Sequence, residues 1–130
     1  MAQVHELRLV VTAPDYDEAL TFFRDALGLT VQGTYQANGG AVTILDVGRA
    51  TLEINDPAYA AYIDDVEVGH RVAGHVRVAF EVADVTTATA DLEAAGATVI
   101  APPTRTPWDS LNARLDGPAG LQLTLFQELS

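Results

Sequence analysis

The sequence predicts an α+β protein built from two tandem βαβββ modules, whose strands form a curved mixed sheet with the shape of a half-barrel trough. The first observation behind this prediction is an internal repeat: one copy begins RLVVTAPDYDEAL and the other RVAFEVADVTTATADL. In both copies an Arg precedes an Asp by seven residues, Arg8 to Asp15 and Arg77 to Asp84. The repeat predicts one domain over 1–130, with module 1 at about 4–56, a linker at about 57–73 and module 2 at about 74–128.

The second observation is a matched pair of helix boundaries. Asp15 and Asp84 stand where helices begin, and Asp15 with Glu18 has the spacing of a capping box. Gly28 and Gly96 stand where those helices end, as residues that take up a left-handed conformation. Each copy therefore contains one helix, and Tyr and Ile residues of the linker indicate a further short helix.

The third observation is the alternation of apolar and polar residues in the stretches around the helices. Gly28 is followed by TVQGTYQ, VTILDV and ATLEIN, and Gly96 by ATVIA, a Pro-rich loop, LNARL and LQLTLF. Because side chains alternate across a strand, Leu7, Leu9 and Val11 are expected beneath the first helix. The opposite strand faces, if they curl into one trough, contain five polar residues: Arg8, Glu53, Arg77, Glu81 and Thr124.

Composition excludes several classes of function. The chain has 130 residues, of which 48% are hydrophobic, and a formal charge of -11 from 18 acids against 7 bases, all Arg. Nucleic-acid and anionic-membrane partners need basic clusters, so this balance argues against both and favours cationic or neutral small molecules. Cysteine chemistry is excluded, since there is no Cys. The N-terminus lacks a signal-peptide pattern, which predicts a soluble cytoplasmic protein.

Four segments carry a family resemblance over nearly the whole chain: ALTFFRDALGL, GHVRVAFEVADV, AAGATVI and LDGPAGLQLTLF. Together with the doubled βαβββ unit, they resemble the vicinal oxygen chelate (VOC) superfamily. That group includes glyoxalase I, fosfomycin-resistance enzymes, extradiol dioxygenases and bleomycin-resistance proteins. The resemblance implies the glyoxalase/bleomycin-resistance fold and a homodimer, because this fold commonly builds each cavity from two chains.

The resemblance also implies where a metal would bind, and the residues there are unusual. The positions that hold metal ligands in metal-dependent members correspond to Arg8, Glu53, Arg77 and Thr124. Two permanent cations disfavour a divalent metal. We therefore expect no metal cofactor, and a cluster in which Glu53 pairs with Arg8 and Arg77. This cluster either joins the two halves or leaves one Arg to bind an acidic or carbonyl group of a ligand, and Glu53 is the best catalytic candidate.

An alternative prediction keeps the metal. His5, Glu53 and His75 would hold Ni, Zn, Mn or Fe in an enzyme of the lyase, epimerase or dioxygenase type. It requires a different strand register, because His5 and Arg8 lie on opposite strand faces. A third hypothesis is a protein that acts only by associating with a partner.

The segment TPWDSLNARLDGPAG looks like one found in bleomycin-resistance proteins, which sequester an antibiotic between two chains without a catalytic metal. The resemblance implies that Trp108 stacks on a ligand, whereas the alternative is that Trp108 covers the edge of the core. Tyr35, Tyr59 and Tyr62 are further stacking candidates. We therefore predict a protein that binds a cationic or aromatic small molecule, an antibiotic or a metabolite, without a catalytic metal. Whether it catalyses a reaction is left open.

Overall fold

A computed structural model describes residues 9, 11, 13–37, 39–50, 57–74 and 76–130 of the chain, without the side chains of 35, 37, 57 and 59. The fold is α+β with open sheets, as the sequence predicts. The elements in chain order are α1 (Tyr16–Leu20, continued by a π-helical segment, Thr21–Ala26), β1 (Thr30–Ala37), β2 (Gly40–Asp46), α2 (Pro57–Glu67), β3 (Arg77–Glu81), α3 (Val85–Ala94), β4 (Thr98–Arg105), β5 (Ser110–Asp116), a 3₁₀ turn (Pro118–Gly120) and β6 (Gln122–Glu128).

The second half of the chain forms the βαβββ unit that the repeat predicts. Its four strands lie in the order β3-β6-β5-β4. The strands β3 and β6 are parallel, and the other two pairs are antiparallel. In the first half, β1 and β2 form an antiparallel hairpin. The predicted strands on either side of that hairpin fall largely on residues outside those the structure describes.

The predicted starts and ends of both helices are confirmed. The Asp15 carboxylate accepts a hydrogen bond from the Glu18 N–H at 3.0 Å, and the Asp84 carboxylate accepts one from the Thr87 N–H at 3.0 Å. These bonds satisfy N–H groups that have no partner within the helix. The chain leaves each helix through a glycine with positive φ, at Gly28 and Gly96.

The helices α1 and α3 share one apolar core with the four-stranded sheet. Phe22, on the π-helical continuation of α1, is fully buried against this core. The chain passes close to the Phe22 ring at Gly117, where an added Cβ would lie 3.6 Å from the ring and 3.3 Å from the Leu123 side chain. The buried core residues are Phe22, Val85, Leu92, Ala97, Ala113, Leu115, Leu123 and Leu125.

Leu9 and Val11 do not occupy the place that alternation predicts for them. Both are exposed, Leu9 with 51% of its surface accessible, whereas Leu7 lies outside the described residues. The prediction that they lie beneath the first helix was wrong, because the apolar face of that helix packs on the core of the second sheet through Phe22.

The prediction of a Pro-rich loop after ATVIA was also wrong. Pro102 and Pro103 lie within β4, which extends to Arg105. The strand tolerates them because it is at the edge of the sheet, where an N–H need not donate to a neighbour, and because its pairing with β5 is irregular there.

The helix predicted in the linker is present as α2. It lies against the sheet face opposite α3, and Ile63, Asp64 and Glu67 are its buried residues among those described. Within the described part of the chain, no helix is both long enough and apolar enough to span a bilayer.

Replacing Phe22 tests whether α1 belongs to the shared core. We expect Phe22→Ala to lower the free energy of unfolding by about 3–5 kcal/mol, because it removes a fully buried ring. Urea unfolding measures this loss. Val42→Ala, at a half-exposed position on β2, serves as the control and is expected to change stability by less than about 0.5 kcal/mol. A loss below about 1 kcal/mol for Phe22→Ala would contradict the shared core.

Candidate functional site

The sheet face beneath α2 is polar and buried. Alternation along β5 and β6 directs Asn112, Arg114, Gln122 and Thr124 toward α2. The residues that alternate with them enter the apolar core: Ala113, Leu115, Leu123 and Leu125. The side chain of Arg114 is completely inaccessible to solvent. A guanidinium keeps its charge at any ordinary pH, so this face requires acceptors that neutralise it.

The helix α2 supplies those acceptors. Arg114 donates through Nη1 to Asp64 at 2.7 Å, and through Nε and Nη2 to Glu67 Oε1 at 3.2 and 2.9 Å. Its Nη1 also donates to Gln122 Oε1 at 2.8 Å. One cation is thus paired with two buried carboxylates, and the helix is fixed to the sheet by charge-assisted hydrogen bonds.

Glu67 is the point where most donors of this face converge. Its Oε1 accepts from Arg114 and, at 3.4 Å, from the Thr124 hydroxyl, and its Oε2 accepts from Asn112 Nδ2 at 2.8 Å. Behind them, Arg77 Nη1 donates to Thr124 Oγ1 at 2.6 Å. A chain of hydrogen bonds therefore runs from Arg77 on β3 across β6 to the end of α2.

Asp64 connects α2 to the segment that follows it. Its Oδ2 accepts from Arg71 Nη1 at 2.8 Å and from the N–H groups of Val72 and Ala73 at 3.0 Å each. Burial would raise the pKa of Asp64, but the hydrogen bonds from two backbone N–H groups and two guanidinium groups outweigh burial and hold that pKa well below its usual range.

The polar network continues to the turn between β4 and β5. Ser110 Oγ donates to Asn112 Oδ1 at 2.7 Å and lies 2.8 Å from Thr106 Oγ1. The Thr106 N–H donates to the Ser110 carbonyl at 2.8 Å, which closes the turn, and Asp109 within it has a φ of 63°. This turn carries Trp108 and is held by buried hydrogen bonds on both sides.

Trp108 and Tyr62 form an aromatic pair at the edge of this site. Their ring centroids are 6.2 Å apart and their planes are inclined by 49°. The side chains are half-exposed, with 45% of Trp108 and 47% of Tyr62 accessible. Asp65 is one helical turn beyond Tyr62 and is exposed. The pair offers aromatic surface to solvent beside a carboxylate.

A shallow depression of about 400 Å³ lies at the ends of β3 and β6. It is lined by Glu81, Val82, Ala83, Gln127 and Glu128. Ser110, the first residue of β5, pairs with Glu128, the last residue of β6. The depression and the Trp108 turn therefore lie at the same end of the sheet. Alternation puts the Glu81 and Glu128 side chains on the α2 side of the sheet.

The family model for the glyoxalase/bleomycin resistance protein/dioxygenase superfamily matches residues 6–125. The chain belongs to this superfamily. No curated protein matches it in sequence.

Several solved structures are similar to this chain in fold. TnmS3, an antibiotic-binding protein from Streptomyces sp. CB03234, is 22% identical, with 98% of both chains covered and a TM-score of 0.66. A member from Sphaerobacter thermophilus is 22% identical over 98% of both chains, with a TM-score of 0.62. A glyoxalase family protein from Bacillus cereus is 17% identical over 100% of this chain and 99% of its own, with a TM-score of 0.62.

The superfamily raises the question of a metal, and the described residues at its ligand positions do not fit one. Arg77 carries donors only, and the Thr124 hydroxyl both accepts from Arg77 and donates to Glu67. Arg77 therefore offers no lone pair to a cation, and Thr124 offers only a neutral hydroxyl oxygen that is already engaged in two hydrogen bonds. The alternative ligands His5, Glu53 and His75 lie outside the described residues, so that alternative stays a prediction.

The structure brings together part of the predicted site. Arg77 and Thr124 are hydrogen-bonded, Glu81 lines the depression, and Trp108 is exposed beside Tyr62. Arg8 and Glu53 lie outside the described residues, so the predicted Arg8–Glu53–Arg77 cluster stays a prediction. The same holds for stacking by Tyr35 and Tyr59, whose side chains are not described.

Sequence reasoning missed the centre of the site, which consists of Arg114, Asp64 and Glu67. One signal was available: in LNARLD, strand alternation puts Asn112 and Arg114 on the same face as Thr124. Asp64 and Glu67 are three residues apart on α2, so they share a helix face. The missing information was which sheet face α2 covers.

Removing the charge of Asp64 is expected to destabilise the fold in a pH-dependent way. At pH 7, Asp64→Asn should lower the free energy of unfolding by about 3–5 kcal/mol, because it breaks a buried ion pair. The pKa of Asp64 is depressed in the folded state, so its contribution is present above the unfolded pKa of about 4 and declines as the pH falls through the folded value.

Urea unfolding at a series of pH values from 7 downward measures the difference between wild type and Asp64→Asn. The difference should shrink below about pH 4. Asp65→Asn, an exposed position on the same helix, is the control and should change stability by less than about 0.5 kcal/mol. A difference that stays constant across this range would refute the assignment of a buried, ionised Asp64.

Proposed function

We propose that the protein binds a planar, cationic small molecule without a catalytic metal. The site is the end of the four-stranded sheet where β3 and β6 finish and β5 begins. The observation that carries this proposal is the half-exposed pair of Trp108 and Tyr62. The Trp108 turn is held by buried hydrogen bonds, so a ligand would meet a preorganised aromatic surface. Binding would therefore cost little conformational entropy of the turn.

Acidic residues at the same end of the sheet support a cationic ligand. Glu81 and Glu128 line the depression at this end of the sheet. Asp65 is exposed one turn from Tyr62 on α2. The whole chain carries a formal charge of -11. Carboxylates beside aromatic rings favour a flat cation, which gains stacking, cation–π and Coulomb interactions together. The positive charge of Arg114 does not oppose such a ligand, because it is buried and neutralised by two carboxylates of α2.

Membership of this superfamily supports a role in small-molecule binding. The structurally similar TnmS3 is itself an antibiotic-binding protein. An antibiotic is therefore one source of a planar cation, and a metabolite is the other. We propose that the chain acts as a homodimer, as the family resemblance implies; sedimentation equilibrium that finds only monomer would remove this part of the proposal.

Replacing Trp108 tests the stacking surface. We expect Trp108→Ala to weaken the binding of planar cationic compounds such as acriflavine by about tenfold or more, as loss of one stacking partner does elsewhere. Calorimetry measures the dissociation constant, because the substitution removes the only tryptophan fluorophore.

Leu129→Ala is the matched control for Trp108→Ala. Leu129 is also exposed, and its N–H donates to the backbone carbonyl of Asp109 in the same turn. A second test uses the double variant Glu81→Gln with Glu128→Gln. It should weaken the binding of a cationic compound and leave the binding of a neutral planar compound unchanged. If Trp108→Ala leaves the affinity of every bound compound unchanged, the proposed site is wrong.

Metal content separates this proposal from the metalloenzyme alternative. We expect elemental analysis of untagged protein to find far less than one ion per chain after incubation with excess Ni, Zn, Mn or Fe and desalting, because Arg77 carries a permanent positive charge and the neutral Thr124 hydroxyl is held by two hydrogen bonds. Retention near one ion per chain that His75→Ala abolishes would contradict the proposal and establish His5, Glu53 and His75 as the ligand candidates.

A further inference from the structure

We propose that the sheet face beneath α2 is a binding site for carboxylate groups, and that the side chain of Glu67 is its resident occupant. This inference goes beyond the proposed function, because it concerns the floor of the site under α2 and an anionic group. The aromatic pair at the sheet edge takes no part in it.

The donors of this site all come from the sheet. Arg114 offers Nε and Nη2, Asn112 offers Nδ2 and Thr124 offers its hydroxyl, and together they occupy both oxygens of the Glu67 carboxylate. They lie on the neighbouring strands β5 and β6, whose pairing fixes their spacing. A guanidinium, an amide and a hydroxyl directed at one point form the kind of donor set that recognises a carboxylate.

A second cation stands behind the first. Arg77 donates to the Thr124 hydroxyl, which orients that hydroxyl toward Glu67. Without acceptors from α2, the Arg114 guanidinium and the Asn112 amide N–H₂ would lose their carboxylate partners. The sheet therefore carries the specificity for an anion, and α2 supplies the anion.

Glu67 is poorly placed for its own helix. It is the last residue of α2, where the partial negative charge of the helix C-terminus disfavours a carboxylate, and the last turn holds no basic residue. The carboxylate is therefore stabilised by the donors of the sheet and not by the helix. Gly69, two residues after Glu67, has a φ of 98° and allows the chain to turn away from α2.

Chemical rescue tests the site directly. Glu67→Ala should melt at a lower temperature than wild type, and sodium propionate should raise its melting midpoint saturably by occupying the vacated donors. Sodium chloride at the same ionic strength should not. Asp65→Ala, which removes an exposed carboxylate from the same helix, should show no propionate-specific response. An equal response of Glu67→Ala to both salts, or to neither, would overturn the proposal.

A second variant keeps the test decisive if Glu67→Ala does not fold. Glu67→Gln is nearly isosteric, but its amide N–H₂ faces donors and so occupies the site weakly. Propionate should displace it, and the displacement should change the fluorescence of Trp108, which lies beside Tyr62 of α2. The half-saturating concentration should be about tenfold or more below that of wild type. The same propionate response in both proteins, or none in either, would overturn the proposal.

Discussion

The structure depends on the neutralisation of one buried cation. Arg114 lies in the middle of a strand with no solvent access, and its charge cannot be removed by deprotonation. Such a group is tolerated only when paired and fully hydrogen-bonded. That requirement explains why a helix with two carboxylates on one face lies across this sheet, and why Asp64 also gathers the N–H groups of the segment after α2.

The two faces of the second sheet therefore follow different rules. On one face, leucines from β5 and β6 meet α3 and Phe22 in a core where shape and volume decide stability. On the other face, hydrogen-bond geometry decides it, since each partner that is removed leaves a charge or donor buried without compensation. The leucine face can accept exchanges of similar volume, whereas the Arg114 face tolerates few exchanges.

Most of the fold was predictable from local signals, and most of the site was not. Asp15 and Asp84 indicate helix starts, because an N-cap needs a short side chain that accepts a hydrogen bond. Alternation in β5 and β6 assigns their residues to the two sheet faces without tertiary information. The position of α2 has no local signal: Asp64 and Glu67 read as an ordinary polar helix face until Arg114 is known to lie beneath them. Leu9 and Val11 were assigned to the wrong environment for the same reason, because the packing partner of α1 is set by Phe22 and a distant sheet.

The floor and the edge of the site are physically connected. Glu67 binds Asn112, Asn112 accepts from Ser110, and Ser110 with Thr106 closes the turn that displays Trp108. Tyr62 reaches the same edge from α2, the helix that carries Glu67. Glu67, Asn112, Ser110 and Thr106 are all buried and hydrogen-bonded to one another in sequence, so their neighbours must accommodate any change at Glu67. The aromatic pair is thus held from both sides by the network that neutralises Arg114, and the spacing of the two rings depends on a charge buried under the helix.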